Sequence, residues 1–229
     1  MSTQSVEYLE AIEHLPAGAI LVFPQVTWEQ YESLLEDLVG RPGLRVSYNE
    51  GRLEIMSPLS EHEDYKEFIL QLARVLSEEF DIPLEPRGST TWKLRKLRKG
   101  AEPDTCFYVT NAHRIIGKRI IDLESVPPPD IVVEIDTPRA SESKFPIYAA
   151  LGVPEIWRYR RGKLSIFTLK NGAYKEQEAS AAFPLLSAAD LTRLLESSTR
   201  LKRTAWLRQL RTHFRKLKSG QSRLSPKVE

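Results

Sequence analysis

The sequence predicts an α/β protein, in the α+β sense of a mixed central β-sheet flanked by helices. Three observations predict it. Ile131 to Ile135 is a short, apolar, β-branched run of the kind a buried strand shows. Tyr65, Phe68, Ile69, Leu72, Val75, Leu76 and Phe80 recur at helical spacing, so a long helix presents one face to a core. Around these two, helix and strand signals interleave along the chain, as in mixed sheets with covering helices.

Thr27-Trp-Glu-Gln30 has the capping-box pattern and opens an N-terminal helix to about Val39, which Gly40-Arg-Pro-Gly43 stops. Leu44, Val46 and Tyr48 then alternate with polar residues. Asn49-Glu-Gly51 turns the chain, and Arg52 to Met56 returns as the second strand of a hairpin. Ser60-Glu-His-Glu63 reads as a second capping box. It opens the long helix, about Glu61 to Phe80, which ends at Asp81-Ile-Pro83. Pro86 to Gly88 is a turn. Ser89 to Leu97 is a predicted strand whose apolar and basic residues alternate, so one face is strongly positive.

Gly100 leads into a strand after Asp104. Asn111 to Val126 is a loop, with a short extended piece at Arg119 to Asp122. Pro127-Pro-Pro129 is a stiff approach to the Ile131 strand. A short helix follows and ends at Gly152, where a C-terminal cap glycine belongs. Val153 to Tyr159 is another strand. Leu164 to Leu169 and Ala173 to Gln177 form a hairpin through Lys170-Asn-Gly172. Ser187-Ala-Ala-Asp190 caps a C-terminal helical region, bent near Ser197 to Thr199. Leu207, Leu210, Phe214 and Leu217 make one stripe of its second half, and the last ten residues fray. The sequence divides into a body over 1–187, with its core at about 46–169, and a basic extension over 188–229.

A chain of 229 residues, 41% hydrophobic and 28% charged, suits a globular fold. No apolar run approaches the ~20 residues of a membrane span, and Met1 to Tyr8 lacks the charge and apolar pattern of a secretory signal. The lone Cys106 excludes an internal disulfide and a multi-cysteine metal site. A soluble cytoplasmic protein is expected. Residues 188–229 carry eleven Lys or Arg and three acids, a net +8; the other 187 carry 22 and 28, a net −6. That asymmetry suggests a polyanionic partner for the tail, or simply a solvated amphipathic helix.

The chemistry gathers around the Ile131 strand. Side chains alternate across a strand, so Glu134 and Asp136 share one face. Burying unpaired charge is expensive, so these acids line a cleft or hold a cation. Asp104 opens the preceding strand, and consecutive strands are commonly neighbours. Hydrolysing a phosphodiester requires neutralised phosphate charge and an activated water, and Mg²⁺ supplies both from one or two carboxylates plus waters. Asp104 and Glu134 would be those carboxylates, with a backbone carbonyl such as that of Ile135 as a further ligand. Lys144 would orient the water or stabilise developing charge. Equally, Asp104 and Glu134 could pair with Arg or Lys in a structural network. His62 and Glu63 could face the metal as accessory residues, although the capping box explains Glu63 alone. Asp136 is either a third ligand or the partner of Arg139. Arg87, Lys93, Arg95 and Lys96, with Arg98 and Lys99 beyond them, could line a nucleic-acid surface around Trp92.

Several short blocks add a resemblance. Pro103-Asp104, Pro129-Asp-Ile-Val-Val-Glu-Ile135, the lysine before Ile147-Tyr148, and Gly152-Val-Pro-Glu-Ile-Trp157 together resemble the Uma-two family within the PD-(D/E)XK nuclease superfamily. Leu53-Glu-Ile-Met-Ser-Pro58 with His62 is similar to that family's approach to its first core helix. The likeness spans about Val46 to Leu169. It implies a restriction-endonuclease-like core, a Mg²⁺ or Mn²⁺ site, cleavage of nucleic acid, DNA above all, and a homodimer. By matching, Asp104 is the first acid, Glu134 the second and Lys144 the lysine. The superfamily's ancestral lysine would stand where this chain has Asp136, so Lys144 occupies a migrated position. An inert nucleic-acid- or partner-binding descendant is the alternative. A glycosidase-type carboxylate pair would need neither lysine nor metal.

Overall fold

The described residues build two sheets whose strands interleave along the chain. The structure, a computed structural model, describes residues 3–39, 43–136 and 144–224. The first part comprises α1 (Thr3–Glu13), β1 (Ile20–Phe23), α2 (Trp28–Asp37), β2 (Arg45–Asn49) and β3 (Arg52–Met56). Then come α3 (Ser60–Phe80), β4 (Glu85–Pro86), β5 (Trp92–Leu94), a 3₁₀ turn at Arg95–Leu97, β6 (Lys99–Ala101) and β7 (Thr105–Tyr108). A second 3₁₀ turn at Ala112–Arg114 precedes β8 (Ile131–Asp136), α4 (Phe145–Leu151) and β9 (Glu155–Arg160). The chain closes with β10 (Lys163–Lys170), β11 (Ala173–Gln177), α5 (Ala188–Ser198) and α6 (Arg203–Leu224).

The smaller sheet runs β1-β3-β2-β6-β5, with every pairing antiparallel. The larger runs β11-β10-β9-β8-β7-β4 and is mixed, its parallel pair being β8 and β9 across α4. No helix among the described residues is long and apolar enough to cross a membrane.

Local chemistry explains most elements. Thr27 caps α2, its hydroxyl accepting from the Gln30 amide at 3.2 Å while the Gln30 side chain accepts from the Thr27 amide at 2.7 Å. The β2–β3 hairpin closes through Glu50 and Gly51 at φ 50° and 103°, the mirror-image turn that matches strand twist and favours glycine. Asn171 and Gly172 do the same between β10 and β11. α4 ends on Gly152 at φ 79°. Ser187 caps α5 by accepting from the Asp190 amide.

Several expectations are corrected. The second capping box does not form: Leu59 is the cap residue and makes no side-chain cap bond, and Ser60 is already helical. Glu63 is instead drawn to Arg45 and Lys66, two cations that outcompete one backbone amide. The strand expected over Ser89 to Leu97 shrinks to Trp92–Leu94, because the chain coils at Arg95–Leu97 and passes through Arg98 at φ 49°. Arg119 to Asp122 forms no strand, and Pro86, expected to open a turn, pairs with β7 as part of the two-residue strand Glu85–Pro86. The sequence reading passed over α1 and β1. Gly40 to Pro42, Arg139 and residues 225–229 lie outside the described residues, while α6 continues to Leu224, into the stretch expected to fray.

Three cores result. Ile131, Val133 and Ile135 of β8 face α3, α5 and α6, where Leu72, Leu76, Leu194, Trp206, Leu210 and Phe214 are buried. Val132 faces the opposite way, toward Ile147, Tyr148 and Leu151 of α4. The small sheet packs Tyr48, Leu53 and Ile55 on Trp28, Tyr31 and Leu34 of α2. α6 thus lies on the body, stacking Trp206 edge-on against Phe68 at 5.2 Å, with its indole nitrogen donating to Leu194 O at 2.9 Å. Its basic side is partly matched by α3, since Arg211 reaches Glu78 at 2.7 Å and Arg215 reaches Glu79 at 2.9 Å.

These two contributions separate by mutation. Trp206→Ala empties a fully buried site and is expected to cost about 3–5 kcal/mol in urea unfolding. Arg211→Ala and Arg215→Ala remove exposed pairs and are expected to cost no more than about 1 kcal/mol each. Equal losses for all three would contradict the packing described.

Candidate active site

The register of β7 on β8 sets the site. Thr105 pairs antiparallel with Val133, so Asp104, one residue earlier, stands opposite Glu134 on the same sheet face. The Asp104 amide donates to Val133 O at 3.1 Å, and its carboxylate Oδ2 accepts from the Ile135 amide at 2.8 Å. Both acids are buried, Asp104 at 1% exposure and Glu134 at 5%. Directly opposed like charges destabilise a sheet, and two cations answer them from different sides.

Lys144 is the first. It sits at the cap of α4, just ahead of Phe145 and Pro146, where a proline is tolerated because first-turn amides have no partner. Its Nζ lies 2.9 Å from Glu134 Oε2 and 3.2 Å from Oε1, and it also donates to Glu102 O at 2.9 Å. One helical turn on, the Tyr148 hydroxyl donates to Glu134 Oε1. Arg45, at the start of β2, is the second. Its Nε is 3.4 Å from Asp104 Oδ1, and its other nitrogens reach Glu63 and Leu44 O, each at 3.0 Å.

Burial is the largest influence on Glu134 and pushes its pKa up to about 7; Asp104 adds to the rise, while Lys144 and Tyr148 oppose it. Burial works against the charge on Lys144, but the Glu134 and Asp104 carboxylates outweigh it and hold its pKa above the usual lysine value. Asp136 is pushed up to about 6, again by burial, against the pull of Arg158, whose Nε is 4.0 Å away. His62 is 2% exposed, and neither ring nitrogen has a hydrogen-bond partner. Burial lowers its pKa, while Asp104 and Glu61 work the other way. A cleft of about 250 Å³ joins His62 to Ile135 and Asp136.

The fold therefore gathers Asp104, Glu134 and Lys144, with His62, Glu63 and Asp136 at the margins. The other candidates lie apart. Lys93 pairs with Glu32 at 2.8 Å, and Arg95 with Glu29 and Glu32 at 3.0 and 2.6 Å, so α2 neutralises much of the expected positive face. Arg87 holds Glu85 and Ile115 O. Lys96 is exposed and has no ion pair among the described residues. Sequence reasoning missed Arg45, because Leu44, Val46 and Tyr48 suggested that its side of β2 faced water. Tyr148 was within reach: four residues after Lys144, it shares that residue's helix face.

Among the described residues no three or more His, Cys, Asp or Glu side chains form a group that could hold a metal. The two carboxylates still fit an ion that keeps several waters, since Asp104 Oδ1 is buried without a hydrogen bond, with only the Arg45 guanidinium near it at 3.4 Å.

The fold is a mixed α/β one, with an acid ahead of one strand, a second acid opposite it and a lysine at the start of the next helix. The family model Uma2, described as "Putative restriction endonuclease", matches residues 28–201, and the chain belongs to this family, the one its sequence blocks resemble. A solved structure described as "a putative nuclease belonging to DUF820 from Anabaena variabilis ATCC 29413" superposes with a TM-score of 0.50 at 16% identity. The match covers 74% of this chain and 99% of that one, and it shows the shared fold. No curated protein matches.

The raised Glu134 pKa has a measurable sign. The folded value, about 7, exceeds the ordinary 4.5, so the fold favours the neutral acid. Its contribution to stability is complete below pH 4.5 and is lost as pH rises through about 7, on the order of 3 kcal/mol in total. Thermal unfolding in a chelator should show this loss in the wild type and a flatter profile for Glu134→Gln. Parallel profiles would contradict the assignment.

Proposed function

We propose that the protein is a metal-dependent endonuclease that hydrolyses phosphodiester bonds of DNA with a metal-activated water. One observation carries this reading: Asp104 and Glu134 oppose each other on adjoining strands, with the Lys144 ammonium 2.9 Å from Glu134. The family description supports DNA as the substrate. Asp104 and Glu134 would hold Mg²⁺ or Mn²⁺, which when bound neutralises phosphate charge and lowers the pKa of a water.

The protein's own residues do the rest. The Ile135 amide fixes one Asp104 oxygen and Arg45 Nε faces the other at 3.4 Å. Tyr148 holds Glu134 from the far side. Lys144, anchored by Glu102 O, presents a compact positive charge beside the reacting phosphate and its water. Burial of the acids keeps bulk water from screening these charges. His62 and Asp136 border the same face as accessory groups.

Purified protein incubated with DNA and RNA should cut in Mg²⁺ or Mn²⁺, and cutting should cease in EDTA and in Asp104→Ala. Failure of the wild type to cut any nucleic acid with either ion would leave the inert, binding-only descendant in its place. Lys144→Ala should retain calorimetric metal binding yet lose cleavage by about 10²–10³-fold, because it acts on the reacting phosphate or water. Loss of metal binding in that variant would recast Lys144 as a support for Glu134.

A further inference from the structure

Residues 109–130 join β7 to β8 and carry only the 3₁₀ turn at Ala112–Arg114. Connections this long are uncommon in a compact fold, and an ordered one is commonly functional. This one is firmly held. The Asp130 carboxylate accepts from the Val109 and Asn111 amides and from the Asn111 side chain, at 2.7, 2.9 and 2.6 Å. The Arg87 side chain and the Lys118 amide both donate to Ile115 O, each at 3.1 Å. Ala112, Ile115 and Val126 are buried in the core that Val132 shares with α4, and Ile121 and Leu123 pack against it.

The stretch Arg114-Ile-Ile-Gly-Lys-Arg-Ile-Ile121 is what this anchoring presents. One isoleucine of each pair packs inward, Ile115 and Ile121. The other is left to solvent: Ile116 is 63% exposed and Ile120 87%, the most exposed large apolar side chain among the described residues. The core does not require apolar residues at these two positions, and two on one short loop are more than scattered surface hydrophobics. Arg114, Lys118 and Arg119 are exposed around them, and none has an ion pair or side-chain hydrogen bond among the described residues. Residues 111–121 contain no acid. Lys93 and Arg95 differ, because two carboxylates of α2 already match them. A cleft of about 330 Å³ is lined by Ile120 and Ile121 together with these two cations and with Glu32, Asp122 and Glu124, so the unmatched charge is that of Arg114, Lys118 and Arg119.

We infer that this loop is a docking surface for duplex DNA. Arg114, Lys118 and Arg119 meet backbone phosphates, and Ile116 and Ile120 lie against the sugars and bases of the groove between them. The loop runs directly into β8, and Glu134 is the fourth residue of that strand, about 10 Å from its start. A duplex held at the acid pair therefore has the loop within roughly one helical turn. An anionic membrane surface would draw the same cations, but two isoleucines on a loop offer it far less apolar area than an amphipathic helix does. That the polyanion is DNA rests on the nuclease reading; that the loop docks a polyanion rests on the loop itself.

The test uses the full chain in EDTA, so that nothing is cut. Two double variants, Lys118→Gln with Arg119→Gln and Ile116→Ser with Ile120→Ser, stand beside the wild type, and melting curves verify that these exposed changes leave the fold intact. Binding of a labelled duplex of about 20 base pairs, roughly two helical turns, is measured over a range of salt. The cation variant should lower the salt slope by about 2, one for each lost phosphate contact. The isoleucine variant should weaken binding about fivefold with its slope unchanged, a loss that merely solvated side chains would not produce. With Mg²⁺ or Mn²⁺, both variants should raise KM for the duplex, while hydrolysis of bis(p-nitrophenyl) phosphate, too small to reach the loop, stays at the wild-type rate. Absence of duplex binding by the wild type, or an isoleucine variant that binds as the wild type does, overturns the inference, even in a protein that cuts DNA. So does loss of binding to phosphatidylserine vesicles in the variants with duplex binding unchanged. The expected pattern of binding in a protein that cuts nothing supports the loop, and the nuclease reading falls instead.

Discussion

Two carboxylates set face to face on neighbouring strands create the constraint that shapes this molecule. Asp104 and Glu134 are nearly without solvent, so neither water nor salt relieves their repulsion. Relief comes from Lys144 after β8 and Arg45 at the start of β2, elements far apart in sequence. An apolar pair of similar volume would commonly be the more stable choice at such a position. The placement of α4, whose first residues carry Lys144 and whose next turn carries Tyr148, follows from that choice. So does the docking of the small sheet, which brings Arg45 in.

Much of this was legible wherever the signal was local. The β-branched run of β8, the period of α3, the Thr27 cap, the Asn49-Glu-Gly51 turn and Gly152 each act within a few residues, and each appears where the sequence places it. Asp104 and Glu134 could be paired in advance because consecutive strands tend to be neighbours. Lys144 was singled out as the cation downstream of the two acids, and the resemblance matches it to the family's lysine.

What escaped was long-range. Alternation of apolar and basic residues over Thr91 to Lys99 looks the same whether the basic side meets water or the acids of α2. Ser60 and Glu63 match the capping pattern, yet Arg45, eighteen residues upstream of Glu63, decides where that carboxylate points. Arg45 alternates with Leu44, Val46 and Tyr48 as a solvent-facing position would, yet it is buried against Asp104 and Glu63. In each case a partner distant in sequence overrode a local rule.

The crossover Glu102-Pro-Asp104 ties these parts together. The Glu102 amide donates to Val46 O of the small sheet, its side chain accepts from the Val46 amide, and its carbonyl accepts from Lys144. Two residues later, Asp104 is bonded to β8 of the large sheet. The acid pair therefore spans a seam: one sheet orients Asp104, and the other supplies its counter-charge. The seam is also packed, because Trp92, Leu94 and Ala101 of the small sheet share a buried cluster with Tyr108 and Val132 of the large one and with Tyr148 of α4. Separating the two halves on warming would therefore open that shared cluster and the acid pair together, so the site's working lifetime is tied to the melting of the core beneath it.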